Sequence, residues 1–208
     1  MRAVFFDLDG TLWDSTEAIV PAWNRVLGRW REPLTAADMA GIMGLTDREI
    51  AGRFLPVMPP EEAVTLIHEA AAAEAEDLRV TGARLYPGVP ETLEVLAEKY
   101  ALYIVSNCMD GYVDAFLRAH GLGRFFSGAA WLGHPAEGKA ENIRAVCDKA
   151  RPERAVYVGD TDGDGKAARA AGLPFIQALY GFGAPAERDG EIREISALPA
   201  LLADFWKD

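Results

Sequence analysis

Near the start of the chain an apolar run, Val4-Phe5-Phe6, stops at Asp7-Leu8-Asp9-Gly10-Thr11. A short, β-rich apolar run of this kind reads as a short buried strand. Side chains alternate along a strand, so Asp7 and Asp9 can address one crevice if extended geometry persists past Phe6. Two carboxylates at the end of a buried strand are costly unless a cation or a proton neutralises them. The alternative is a plain polar turn, because Asp-Gly is a common turn signal. The rest of the chain decides between the two.

Similar runs recur, each ending in small or polar residues. Residues 101–105 end in Ser106-Asn107, residues 155–158 end in Gly159-Asp160, and residues 175–179 end in Tyr180-Gly181; residues 128–132 form a weaker run. Helical patterns lie between them, over residues 90–100, 111–120, 136–150 and 165–171. Strands alternating with helices predict an α/β fold, a doubly wound, Rossmann-like parallel sheet with helices on both faces. Residues 14–82 break this rhythm and read as helices only, over 16–30, 35–43, 47–54 and 61–78, with Thr35 and Asp47 as expected N-caps. The expected organisation is an α/β core of residues 1–13 and 83–208 carrying an inserted all-helical cap of residues 14–82. Gly10 to Trp13 and Gly82 to Pro87 are the natural hinges.

The formal net charge of -11 opposes nonspecific binding to nucleic acid or to anionic membranes. It does not exclude an anionic substrate, since a metal ion and a few basic groups can reverse the field inside a pocket. Cys108 and Cys147 provide no disulfide framework and suit a reducing, cytoplasmic setting. Asp7 breaks the first apolar run, so no signal-peptide core is read there, and no run of about 18 apolar residues predicts a membrane span.

Open parallel sheets bind ligands beyond the carboxyl ends of their strands. Here those ends offer Asp7 and Asp9, then Ser106 and Asn107, then Asp160, Asp162 and Asp164, while Lys139 opens the helix ahead of the third main strand. An aspartate can attack phosphorus, Mg²⁺ prefers carboxylate oxygens, and a lysine with hydrogen-bond donors can hold phosphoryl oxygens. In order, Asp7-Leu8-Asp9-Gly10-Thr11, Ser106-Asn107, Lys139 and Gly159-Asp160-x-x-x-Asp164 resemble the four motifs of the haloacid dehalogenase superfamily. Tyr86-Pro87-Gly88 and Tyr157-Val158-Gly159-Asp160-Thr161 are most similar to its phosphoglycolate phosphatase-like branch, and the resemblance spans nearly the whole chain.

The resemblance implies Mg²⁺-dependent hydrolysis of a small phosphate monoester, with phosphoglycolate as the best single substrate. It implies Asp7 as nucleophile and metal ligand, and Asp9 as general acid/base whose backbone carbonyl also binds the metal. Ser106 and Asn107 would bind phosphate, Lys139 would pair with Asp7 and the phosphoryl oxygens, and Asp160 and Asp164 would complete the Mg²⁺ site. Relatives often carry Pro after this lysine, where Ala140 stands here. The second carboxylate, Asp9, disfavours carbon–halogen cleavage. The expected partner is a small phosphorylated metabolite, with the protein a monomer or homodimer.

Trp13 and Arg48 are further candidates for touching substrate; the competing readings are packing at the cap hinge for Trp13 and a helix salt bridge for Arg48. Asp160-Thr-Asp162-Gly-Asp164-Gly165 also matches the opening of an EF-hand loop, but its twelfth position falls on Ala171, where a bidentate Glu is needed. His68, His120 and His134 show no metal-ligand spacing. Two other functions stay open at this point: a phosphomutase similar to the β-phosphoglucomutases, and a non-catalytic regulatory protein on the same fold.

Overall fold

The computed structural model describes residues 1–207, so Asp208, the last residue of the expected core segment, lies outside the described residues. Six strands form one sheet: β1 (Arg2–Phe6), β4 (Ala101–Val105), β5 (Phe126–Ala130), β6 (Arg154–Gly159), β7 (Phe175–Ala178) and β8 (Gly190–Ile192). Their order is β5-β4-β1-β6-β7-β8, and every neighbouring pair is parallel. β1 lies centrally, in register with Ala101 to Ile104 on one side and Arg154 to Val158 on the other.

Alternation divides the sheet's side chains between two cores. Val4, Phe6, Ile104, Val156, Val158 and Ile176 belong to one buried cluster, and Ala3, Phe5, Tyr103, Val105, Tyr157 and Phe175 belong to the other. Helices α5 (Val89–Ala97) and α9 (Leu198–Phe205) add Leu93, Leu96, Leu198 and Leu202 to the first cluster. Helices α7 (Lys139–Ala150) and α8 (Asp162–Ala170) add Ile143 and Ala168 to the second. Helices therefore cover both faces, as the alternating pattern predicts for a doubly wound sheet.

Between β1 and β4 the chain forms α1 (Thr16–Leu27), α2 (Ala36–Ala40), α3 (Asp47–Phe54) and α4 (Pro60–Thr81). Thr35 caps α2, as expected. Thr46, not Asp47, caps α3, with Glu49 closing the reciprocal capping box. The hydroxyl of Thr46 accepts from the N–H three residues on, which Asp47 in the first turn is placed too late to do. α6 (Tyr112–His120) lies beside α4 and follows β4.

The two chain crossings into this helical block are clamped together by a ribbon that the sequence does not announce. β2 (Trp13–Asp14) pairs antiparallel with β3 (Arg84–Leu85), and the Arg84 guanidinium donates to Asp14 Oδ2 at 2.7 Å. The Tyr86 N–H bonds the Leu12 carbonyl at 3.1 Å. Gly10 and Gly82 bracket the ribbon with φ of +79° and +64°, conformations that an L side chain resists.

Candidate active site

β1, β4 and β6 are adjacent, so their carboxyl ends share one edge. Asp7 follows directly on β1, Ser106 on β4 and Asp160 on β6, and all three side chains are buried. The lysine arrives from outside the sheet: Gly138 in extended conformation starts α7, and Lys139 is its first residue. Its ammonium donates to Asp7 Oδ1 at 3.0 Å and to Asp164 Oδ1 at 2.6 Å, and it is only 8% exposed. Asp164 occupies the first turn of α8. Its Oδ2 accepts from the Thr161 N–H, the Thr161 hydroxyl and the Asp160 N–H at 2.9, 2.7 and 3.2 Å. The helical turn holding this capping box excludes an EF-hand loop, and Asp162 instead turns outward to pair with Lys166.

Asp7, Asp160 and Asp164 each offer an oxygen within 4.8 Å of the others. Asp160 Oδ2 receives the Phe182 N–H at 2.6 Å, while Asp160 Oδ1 is buried with no hydrogen-bond partner. The loop after β7 is built to fit. Gly181 and Gly183 lie so close to Asp160 that a Cβ at either would fall within 2.3–2.5 Å of it. Tyr180 anchors the same loop by donating to the Thr11 carbonyl at 2.9 Å.

The electrostatics follow from one lysine facing three buried acids. Burial raises Asp7 to about 6 despite the pull of Lys139. Asp160 rises to about 8, through burial first and then repulsion from Asp164 and Asp7. Burial also opposes the charge of Asp164, yet Lys139 and Thr161 together hold it below the usual carboxylate range. Burial likewise works against the Lys139 ammonium, but Asp164 and Asp7 raise it well above its ordinary value. The cluster carries more negative charge than Lys139 can neutralise. An all-oxygen donor set with one unpartnered buried oxygen fits a hard divalent cation such as Mg²⁺, whose charge would reverse the upward shifts.

Asp9 sits apart from this cluster in its own hydrogen-bonded niche. Ser15 and Tyr112 hydroxyls both reach Asp9 Oδ1, at 2.5 and 2.8 Å. Burial nevertheless raises its carboxyl to about 7. Asp7, Asp9, Ser106, Asn107 and Lys139 all line a cavity of about 110 Å³ whose opposite side is formed by the helical block.

Two expected residues are elsewhere. Trp13 is fully buried, edge-on to Tyr112 and Phe116, and does not line the cavity. Its place in β2 fixes it as core under the ribbon, which corrects the expectation of substrate contact. Arg48 pairs with Glu61 at 3.0 Å on the solvent side of α3, beside a separate surface depression, so it too leaves the substrate-contacting set. Four unexpected residues reach the cavity or Asp9: Ser15, Tyr112, Trp23 and Glu74. Only Glu74 left a trace in sequence, since it shares a helical stripe with Ile67, Ala70 and Leu78.

A parallel sheet with acids, a hydroxyl and a lysine converging at its carboxyl edge, roofed by helices, defines an α/β enzyme working at the crevice where the strand order reverses. The family model of haloacid dehalogenase-like hydrolases matches residues 4–178, and the chain belongs to that family. It is similar to a plasmid-encoded phosphoglycolate phosphatase of Cupriavidus necator, at 32% identity over 96% of this chain and 92% of the relative. It is also similar to a phosphoglycolate phosphatase of Pseudomonas putida, at 29% identity over 97% and 78%. A haloacid dehalogenase-like hydrolase from Streptococcus pneumoniae superposes with a TM-score of 0.84 at 26% identity, over 96% of this chain and 97% of that one. The protein is thus a phosphatase-type hydrolase of the phosphoglycolate phosphatase-like branch. Among the described residues no helix is long and apolar enough to cross a membrane.

Proposed function

We propose that the protein hydrolyses a small phosphate monoester through an aspartyl-phosphate on Asp7, with Mg²⁺ held by Asp7, Asp160, Asp164 and the Asp9 carbonyl. The observation that carries this reading is the Lys139 bridge between Asp7 and Asp164, beside the unpartnered Asp160 oxygen. When bound, Mg²⁺ would neutralise the acid cluster and the phosphoryl charge. Lys139 and Ser106 stabilise the Asp7 carboxylate and, with Asn107, face the phosphoryl oxygens.

In the first step an Asp7 oxygen attacks phosphorus, the bond to the leaving oxygen breaks, and protonated Asp9 gives that oxygen its proton. In the second, Asp9 as carboxylate takes a proton from water, which attacks phosphorus, and Asp7 leaves with its electron pair. A carboxyl near pH 7 in affinity is suited to both directions of transfer. The ribbon at Trp13–Asp14 and Arg84–Leu85 supports a division into a core (1–13 and 83–208) and a helical cap (14–82), hinged at Gly10 to Trp13 and Gly82 to Pro87. Closure there would exclude bulk water. A cytoplasmic monomer or homodimer belongs to the same reading, consistent with the free thiols of Cys108 and Cys147.

The relatives named for phosphoglycolate support the small-monoester class; the choice of ester falls to the helical side of the cavity. The test is phosphate release from a panel of small phosphomonoesters with and without Mg²⁺, comparing wild type with Asp7→Asn. Mg²⁺-dependent release that Asp7→Asn abolishes is the expected result. Equal release by both proteins, or none from any ester, overturns the assignment.

A further inference from the structure

The cavity has two unlike ends. The sheet end carries Asp7, Ser106 and Lys139, while the helical end is walled by Ile19, Ile42, Leu45 and Ile67. Among the described lining residues Lys139 is the only basic side chain, and both its contacts go to Asp7 and Asp164. The charged groups added from the helical block are both acidic: Glu74 from α4 and Asp47 from α3. Asp47 is held at 2.8 Å by His68, which does not line the cavity. The volume, about 110 Å³, falls below the roughly 300 Å³ at which drug-sized ligands begin to fit.

Glu74 is the group that a packing account does not exhaust. It is 8% exposed, on the stripe of α4 that otherwise carries Ile67, Ala70 and Leu78. Trp23 Nε1–H donates to its Oε2, while Oε1 has no protein partner. A role confined to receiving the indole N–H would use one oxygen and needs no carboxyl. Burial raises the Glu74 carboxyl to about 8, with Asp9 adding to the effect, so near neutral pH it is a neutral donor as well as an acceptor.

Building on the phosphatase reading above, we propose that the leaving group is a small, uncharged alcohol with a largely apolar body and a far hydroxyl that Glu74 hydrogen-bonds, and that the cavity rejects carboxylated esters such as phosphoglycolate. A carboxylate at the helical end would lose its water among aliphatic side chains, meet no free cation, and stand beside two acids. An uncharged hydroxyl meets a partner of the right chemistry instead. This separates the substrate class of this chain from that in the names of its relatives.

The test compares Mg²⁺-dependent kcat/KM for three matched esters: 2-hydroxyethyl phosphate, ethyl phosphate and phosphoglycolate, with acetyl phosphate as a control for the chemistry itself. The expected order puts 2-hydroxyethyl phosphate at least about tenfold above phosphoglycolate and above ethyl phosphate, the scale set by one lost hydrogen bond. Glu74→Met is expected to collapse the hydroxyethyl-to-ethyl ratio about tenfold, mainly through KM, and Glu74→Gln to restore it. Phosphoglycolate equal to or better than the hydroxyethyl ester overturns the proposal, and so does an unchanged ratio in Glu74→Met. If Glu74→Met does not fold, the wild-type order and Glu74→Gln still decide. Release from acetyl phosphate with the wrong ester order sinks this proposal alone; no release from any ester sinks the phosphatase reading and this one with it.

Discussion

Replacing Lys139 with Met tests the electrostatics of the acid cluster without appeal to any substrate. The lysine contacts Asp7 at 3.0 Å and Asp164 at 2.6 Å, with both carboxylates almost fully buried. At an effective dielectric near 20, each contact is worth about 5–6 kcal/mol of attraction. Dehydrating the ammonium offsets several kcal/mol of that, so removing it leaves a net loss of about 3–5 kcal/mol. The assay is urea unfolding in EDTA at pH 8, repeated at lower pH. The folded-state affinity of Asp164 for protons is depressed, so its contribution to stability is present above the unfolded-state carboxylate pKa and fades as pH falls through its folded value. Asp7 and Asp160 have raised folded values, about 6 and about 8, so they weigh against the fold as pH rises and are relieved as pH falls. Without Lys139 all three shift upward. The gap between the proteins should therefore be widest near pH 8 and narrow toward pH 5. Mg²⁺ should stabilise the variant more than the wild type, because one competing positive charge is gone. A gap under about 1 kcal/mol at pH 8 in EDTA, or one that widens on acidification, refutes the reasoning.

Asp9→Asn should lower turnover by about 10²–10⁴-fold while keeping most of the Mg²⁺ affinity measured by titration; retained turnover removes Asp9 from the mechanism. Tyr112→Phe deletes a hydrogen bond that favours the charged form of Asp9. Leaving-group protonation needs Asp9 protonated, so the alkaline limb of the pH–rate profile should move up by about one unit, and a limb that stays or moves down contradicts the assignment. Gly181→Ala would place a Cβ 2.3 Å from that of Asp160 and 2.4 Å from the Gly10 carbonyl oxygen. Denaturant unfolding should show a loss of about 1–3 kcal/mol, with Mg²⁺ affinity falling alongside.

Much of this could be read in the chain because its physics is periodic. β1, β4 and β6 hold unbroken apolar runs, and β7 one interrupted only by Gln177, since a parallel strand covered on both faces has no solvent side to alternate with. Their ends then supplied Asp7, Ser106 and Asp160 by position alone. The elements left unread lack such a signal. β2 and β3 have two residues each, too few for any period, and β8 is a three-residue strand in a charged stretch with a glycine. α9 carries Pro199 in its first turn and lies in a segment read as neither strand nor helix. The weak fifth run was displaced, being expected at 128–132 and found at Phe126–Ala130.

The roof of the cavity was illegible for a different reason. Motifs mark chemistry that must be identical from one substrate to the next, and they cluster at strand ends where the sheet fixes geometry. Ser15, Tyr112, Trp23 and Glu74 lie within or next to helices, separated by up to 97 residues, and meet only because α1, α4 and α6 pack together. No local pattern requires a tyrosine in α6 to find an aspartate after β1. The one local clue was a charge in the wrong place: Glu74 on an apolar stripe, where burial costs a carboxylate several kcal/mol unless it is protonated or bonded. A helix keeps such a residue where packing alone would choose leucine or alanine when the carboxyl has something to meet. In this chain Glu74 lines the cavity with one oxygen taken by Trp23; under the proposal above, the motifs carry the phosphoryl chemistry and this departure from the stripe carries the choice of leaving group.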